Sequence, residues 1–355
     1  MQGSLDLRTG KAIIRILVFM AQIACTNNFP TVTVVIPTWP NTYPSEALTA
    51  LSNAHYPKDK LEVIIVEGRC PSHQRNQAAD IASGEYLYFL DDDSCISKDA
   101  ITIGTKYATE QNVGAVGGPA LIPGASSLLE RCFSAVMGSK LGCWRTRARN
   151  TPIGEPREVD GEELVLCNLM MKTSVFKEMA GLRTTLYPNE ENELIKRLRL
   201  KHYSFFYLPQ MQVRKKFRRT LLDFSKQMFN YGRGRGKHIL THFSPRDAVF
   251  FIPTLFLFYL VSILFVDIQL WNIPLGIYGI LTFLTSVSIA IQNRNVALGF
   301  LSFISFPLLH LGYGSGLLVG LINSAVNPKV PNLEISIKKL TFEAHDSDSK
   351  KTANS

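Results

Sequence analysis

The sequence is short of cross-linking and metal-gripping side chains. Its six cysteines (Cys25, Cys70, Cys95, Cys132, Cys143, Cys167) form no C-x-x-C pair and no ligand-like spacing with histidines. They suit reduced thiols in a cytosolic environment better than a disulfide frame or a zinc site. Two nucleotide signatures are missing as well. No G-x-G-x-x-G follows the first predicted strand, and no G-x-x-x-x-G-K-[ST] occurs anywhere, which removes a dinucleotide fold and a P-loop NTPase. Acids are scarce between Arg214 and Lys237, where nine Lys/Arg meet a single acid, Asp223. The net charge of +9 is therefore local in origin. It points to a phosphate-bearing ligand or an anionic membrane surface, not to nucleic acid.

Charge is wholly absent from three long stretches. Ala248–Val266, Ile273–Ile291 and Val296–Ile322 hold 19, 19 and 27 residues without an ionisable acid, lysine or arginine. Each is long enough to cross a bilayer. They account for a slightly positive mean hydropathy in a chain of 355 residues, which has room for one large domain plus something smaller. The third contains Pro307, His310 and Gly312, Gly316 and Gly320 at a spacing of four, which lets helices pack closely in lipid. A kink or partial re-entry is expected there. The basic stretch before the first span, with Arg294 between the second and third, places the large domain on the cytoplasmic side. Three full crossings would put the tail from Asn323 outside. That tail is polar, and past His345 it reads as disordered. Near the N-terminus, Lys11–Cys25 is apolar but short and contains Arg15. An interfacial helix is the preferred reading, a buried core helix the other.

The remaining chain alternates strands and helices. Thr31–Thr38 is a β-branched run stopped at proline, and Leu61–Val66 is a second such run ending at Glu67-Gly68. Helices are expected over Glu46–Asn53 and from about Ser72 to Ala82. Tyr86–Leu90 is a short apolar strand that runs straight into Asp91, Asp92 and Asp93. Strand–helix–strand–helix–strand with short connections specifies an open, mostly parallel α/β sheet, with ligands at the strands' C-terminal ends. Pro37-Thr38, Glu67-Gly68 and the aspartates all fall at that edge. Adjacent carboxylates repel and cost too much to bury unpaired, so a divalent cation, Mg²⁺ or Mn²⁺, bridged to a substrate's phosphates suits them. A solvated acidic turn is the plainer alternative. Farther on, Leu164–Thr173 reads as a strand. Pro188 and Asn189 start a helix whose apolar side is Leu194, Leu198 and Leu200. Capping explains some of Glu190, Glu191 and Glu193, but three acids in four positions exceed what a cap needs.

Thr31–Thr38, Ser72-His73-Gln74-Arg75-Asn76, Tyr86–Ser94 and Glu190-Glu191-Asn192-Glu193-Leu194 with Arg197 resemble the family-2 inverting glycosyltransferases of GT-A fold. Gln227–Arg235 and His310-Leu311-Gly312-Tyr313-Gly314-Ser315-Gly316 narrow the resemblance. It is to the succinoglycan-type membrane glucosyltransferases that extend lipid-linked sugars in bacterial polysaccharide assembly. The likeness covers roughly residues 29 to 322.

The resemblance implies a nucleotide-diphosphate sugar donor, a UDP-sugar for preference, a Mg²⁺ or Mn²⁺ ion, and a lipid-linked saccharide acceptor. It makes Asp91 and Asp93 the metal pair, with Asp91 and Asp92 toward the donor. Pro37, Thr38, Glu67 and Arg75 become donor contacts, Glu67 standing where the family usually has aspartate. Glu191 takes the place of the catalytic base, with Glu190 beside it. Arg233 and Arg235 either meet the leaving diphosphate or face the membrane. The processive synthases' Q-x-x-R-W is missing after Gln227, which argues against a chain-extruding enzyme. The implied organisation is an interfacial segment (1–28), a GT-A catalytic domain (29–240), a membrane domain (241–325) and a polar tail (326–355). Membrane lipids are partners and nucleic acid is not; the implied location is the cytoplasmic face of a bacterial inner membrane. Transfer directly to polyprenyl phosphate, or a catalytically silent nucleotide-sugar-binding scaffold subunit, are the alternatives.

Overall fold

A computed structural model describes residues 29–341 apart from 187, 242, 267–268 and 327–333. The interfacial segment expected at Lys11–Cys25 and the tail past His345 lie outside the described residues. In chain order the strands are β1 (Val32–Thr38), β2 (Leu61–Gly68), β3 (Tyr86–Leu90), β4 (Cys95–Ile96), β5 (Val113–Gly117), β6 (Ala120–Leu121), β7 (Arg157–Val159), β8 (Asn168–Lys172), β9 (Ser204–Tyr207), β10 (Val213–Arg214) and β11 (Ile335–Thr341). Helices of eight residues or more are α1 (Ser45–Ser52), α2 (Pro71–Ile81), α3 (Ala100–Ala108), α4 (Leu128–Met137), α5 (Glu190–Leu200), α6 (Leu221–Thr241), α7 (Ile252–Ile263), α8 (Ile273–Gln292) and α9 (Val296–Val326).

Eight strands form one sheet in the order β11-β2-β1-β3-β8-β5-β9-β7. Strands β1, β2, β3, β5 and β9 run one way, and β7, β8 and β11 run against them. The sheet is thus mixed but mostly parallel. Side chains alternate across it as the pleat requires. Val34 and Ile36 of β1 face one core with Leu48 and Leu51 of α1 and Ile101 of α3. Val35 faces the other, with Phe89, Ala78 of α2 and Leu194 and Leu198 of α5. Both faces are covered, so the central strands read as unbroken apolar runs.

A small second sheet, β4-β10-β6, sits just past the aspartates. Strand β10 pairs Val213 with Ile96 of β4 and with Ala120 of β6, which brings the start of the basic run back beside β3.

Several expectations are corrected. The strand expected over Leu164–Thr173 is only β8, because Leu164 to Cys167 are taken up by the turn that leads into it. Leu200, expected on the apolar side of its helix, is 70% exposed, lying at the last turn where α5 leaves the core. Part of the polar tail is a strand: β11 pairs antiparallel with β2 from Ile335↔Gly68 to Thr341↔Glu62.

Three segments, Pro245–Ile263, Leu270–Gln292 and Val296–Asn323, are long and apolar enough to cross a membrane. The third is one continuous helix, α9, with Pro307 inside it. Its glycines do seat another helix closely. A β-carbon on Gly316 would stand 2.0 Å from the Phe229 carbonyl oxygen, and one on Gly232 the same distance from that of Tyr313. For Gly312, Gly316 and Gly320 the partner is α6, the basic helix, whereas Gly314 and Gly299 lie against Pro253 of α7 and Ser286 of α8.

Candidate active site

The strand ends β1, β2 and β3 open on one edge, and α2 locks them there. Gln74 Nε2 donates to the Thr38 carbonyl (2.9 Å) and to that of Val66 (2.5 Å), fastening β1 to β2. The next residue, Arg75, is buried. Its guanidinium reaches Asp91 at 2.8 Å and Glu190 at 3.4 Å, so one side chain joins the two acidic clusters. On the far side of the aspartates stands Lys215, the residue after β10. Its ammonium is bonded to Asp91 and lies 3.6 Å from Asp93.

The turn is consequently neutralised in part. Burial alone would raise the Asp91 carboxyl, but Lys215 and Arg75 outweigh it and hold Asp91 below the usual carboxylate range. Burial would lower Lys215, yet Asp91, Cys167 and Asp93 drive it well above its ordinary value. Asp92 is pushed up by burial and by its two acidic neighbours. Among the described residues no three His, Cys, Asp or Glu side chains converge as a ready-made metal cage. Asp91, Asp92 and Asp93 are nonetheless half-buried and line the cavity described below. Carboxylate oxygens of this kind are the hard donors that a divalent cation takes together with phosphate and water.

The acids of α5 divide by role. Glu193 is fully buried, bound by Arg197 (2.7 Å) and Arg183 (3.0 Å), and fastens the helix to its surroundings. Glu191 accepts a bond from Arg149 Nη1 (3.1 Å), while Nη2 of the same guanidinium donates to Asn192 (2.9 Å). Glu190 is buried beside Glu191 and Arg75. Burial, then Glu191, raises its carboxyl to about 7 against the pull of Arg75. Asn189 before the helix adopts φ +96°, a left-handed turn that asparagine tolerates and that aims the two glutamates at the cavity.

One cavity of about 1120 Å³ takes in Pro37, Thr38, Arg75, Asp91, Asp92, Asp93, Glu190 and Glu191. It runs on past Lys140, Arg145, Arg218, Arg233 and Arg235, and ends against Phe256, Tyr278, Leu281 and Leu309 of the apolar helices. The Thr38 hydroxyl is buried with no hydrogen-bond partner, available to a ligand. Glu67 is set apart: it lines a separate space of about 210 Å³ with Pro40, Arg69 and Ser336 of β11. Arg235 lies 4.0 Å from Asp247 and stacks on Phe250 at 4.0 Å, tying α6 to the start of the first apolar segment. Arg233 has a buried Nε without a hydrogen-bond partner.

Lys215, Arg149 and Trp144 at the cavity wall were not foreseen. Lys215 follows a strand of two residues, too short for any periodicity. Arg149 meets Glu191 from 42 positions earlier in the chain. Trp144, 61% exposed, takes φ +42°, which is unusual for a bulky residue and marks a constrained corner.

Residues 44–153 match the family model described as Glycosyl transferase family 2. No curated protein sequence matches the chain. Among solved structures it is similar to the mannosyltransferase PcManGT from Pyrobaculum calidifontis in complex with GDP-Man and Mn²⁺. The TM-score is 0.53 at 16% identity, covering 83% of this chain and 88% of that one. TarS of S. aureus matches with a TM-score of 0.36 at 16% identity, over 56% of this chain and 38% of TarS. At such identity the first likeness is one of fold. Residues 44–153 carry the match to glycosyltransferase family 2, the fold is GT-A-like, and the enzyme class is glycosyltransferase.

Proposed function

We propose that the protein is a membrane-anchored inverting glycosyltransferase of the succinoglycan type. It moves a sugar from a nucleoside-diphosphate donor, a UDP-sugar for preference, to a lipid-linked saccharide at the cytoplasmic face. The catalytic unit is residues 29–240 and the membrane unit 241–325. The observation that carries this reading is the single cavity running from Asp91–Asp93 and Glu190–Glu191 to Phe256, Tyr278, Leu281 and Leu309. A polar reaction centre that continues into an apolar wall suits an acceptor with a sugar at one end and hydrocarbon at the other.

The donor lies along the strand ends, its nucleoside toward Pro37 and Thr38 and its diphosphate at the aspartates, while Glu67, turned to the separate space under β11, is left out of the contact. A divalent cation held by Asp93 with Asp91 would supply positive charge to the departing diphosphate. Lys215 and Arg75 hold Asp91 in place and add two cations beside it. Arg233 meets the diphosphate from the α6 side of the cavity.

The acceptor hydroxyl is scarcely ionised near neutral pH and needs a base on the face opposite the diphosphate. Glu191 is that base. It stands on a different element from the aspartates and is oriented by Arg149, whereas Glu190 is bound through Arg75 to the donor side. The acceptor oxygen bonds to the anomeric carbon as the bond to the diphosphate oxygen breaks. The proton passes to a Glu191 carboxylate oxygen, and the configuration inverts.

The test is a thermal-shift screen of nucleotide sugars with Mn²⁺, then turnover in detergent with mass spectrometry of the glycolipid. A disaccharide or longer glycan on the lipid is the expected product. A single sugar on polyprenyl phosphate would replace the acceptor, and donor binding without transfer would make the chain a scaffold.

A further inference from the structure

We infer that α9 does not cross the bilayer but lies along its catalytic side, so that the three apolar segments among the described residues cross an even number of times between them, zero or two. The inference rests on the membrane reading above and opposes the count of three spans that length and apolarity invite.

Both halves of α9 are fastened to the catalytic domain. Toward its N-terminal end, Leu298 and Phe306 share a buried cluster with Cys132, Phe133 and Val136 of α4. Ser305 Oγ is 3.4 Å from Cys132 Sγ, and Phe133 stacks on Phe224 of α6 at 4.2 Å. In the middle, His310 Nε2 meets the Leu141 carbonyl of the catalytic domain at 3.0 Å. Toward the C-terminal end, β-carbons on Gly316 and Gly320 would stand 2.0 and 2.2 Å from the carbonyl oxygens of Phe229 and Arg233 in α6. Helix α6 in turn sits on the catalytic domain: a β-carbon on Gly234 would stand 2.2 Å from the Pro188 carbonyl oxygen. A helix crossing the membrane would carry these domain residues into hydrocarbon with it. The face of α9 away from the domain is the lipid-facing one, with Val296, Phe300, Phe303 and Ile304 exposed.

The far end agrees independently. Strand β11 begins nine residues after α9 ends, at Ile335 following Val326, and pairs along β2 of the catalytic sheet. A further helical crossing takes about 20 residues. Lipid admits no irregular backbone that could return the chain otherwise. With α9 starting, continuing and ending on the catalytic side, α7 and α8 cross together or not at all. Ile289 of α8 in the same buried cluster and Tyr278 of α8 bonded to His310 hold α8 beside α9, which favours no crossing. Arg294, between α8 and α9, then lies on the catalytic side, as the positive-inside bias asks.

The experiment uses the full-length protein in sealed, oriented membrane vesicles with two epitopes, one inserted at the open loop around Gly124 and one after Ser355. Accessibility of both epitopes from the same face, with the protein retained after alkaline carbonate washing, is the expected result. A C-terminal epitope reached only from the opposite face, in retained protein, would overturn the inference and leave the membrane reading standing. Release of the protein by carbonate would remove the membrane reading itself and this inference with it.

Discussion

Asp91-Asp92-Asp93 and Glu190-Glu191-Glu193 are two acidic triplets that meet in one region and handle their mutual repulsion differently. The aspartates end a strand, remain half-buried, and share two cations, Arg75 and Lys215, between them. The glutamates begin a helix and are buried. Each has an arginine at hand: Arg75 for Glu190, Arg149 for Glu191, and Arg183 with Arg197 for Glu193. An incompletely neutralised turn keeps oxygen lone pairs facing the cavity and can take a charged ligand. A helix start in which Glu191 and Glu193 each hold an arginine is set before any ligand arrives, which suits a group that must hold one geometry. Arg75 is the only side chain joining the triplets directly among the described residues.

The comparison breaks most sharply at Asp93. Asp93→Ala should remove turnover by about 10³-fold or more and abolish Mn²⁺-dependent donor binding, with the melting temperature nearly unchanged. Calorimetric titration of the donor with and without metal checks it, and metal-dependent binding in the variant would refute the role. Glu191→Gln should lower kcat by about 10²–10⁴-fold while donor affinity stays within a few-fold. If Glu190→Gln is the inactive variant instead, the base sits one residue earlier.

Lys215→Ala should weaken donor binding by about 10- to 100-fold, the scale of one charge-assisted hydrogen bond. Donor titration at two salt concentrations would show it, the variant having the shallower salt dependence. The smallest effect is on stability. Because the Glu190 carboxyl is raised to about 7, the folded state holds its proton more tightly than the unfolded chain does. Its contribution is full below about pH 4.5 and is lost as pH rises through about 7. Glu190→Gln should therefore gain in melting temperature relative to the parent between pH 5 and pH 8. An equal difference at both pH values would dismiss the buried, raised carboxyl.

Strands β1, β2 and β3 were legible because β-branched and aromatic runs buried on both faces leave a strong mark in sequence. Their common edge, with Thr38, Glu67 and the aspartates, followed from topology. The cations were not legible in the same way. Lys215 reaches Asp91 only because two-residue β10 pairs with β4, and Arg149 reaches Glu191 through a tertiary fold-back. Neither leaves a local pattern. Glu193 looked like a third candidate in its row, and only its burial against two arginines separates it from the pair before it. Strand β11 escaped for another reason: it is held by a backbone ladder at an edge, and most of its side chains are exposed, so its sequence reads as a tail.

That ladder also governs how the molecule behaves toward copies of itself. Strand β2, Leu61-Glu62-Val63-Ile64-Ile65-Val66-Glu67-Gly68, is a long apolar strand whose outer hydrogen-bonding edge β11 occupies along its length. An uncovered edge of that kind is a template for pairing with another chain. Strand β11 puts Lys338 and Lys339 at the margin instead, with Lys339 bonded to Glu62, and so ends the sheet on charge. Truncation after Val326 would expose the β2 edge and is expected to make the protein self-associate through it.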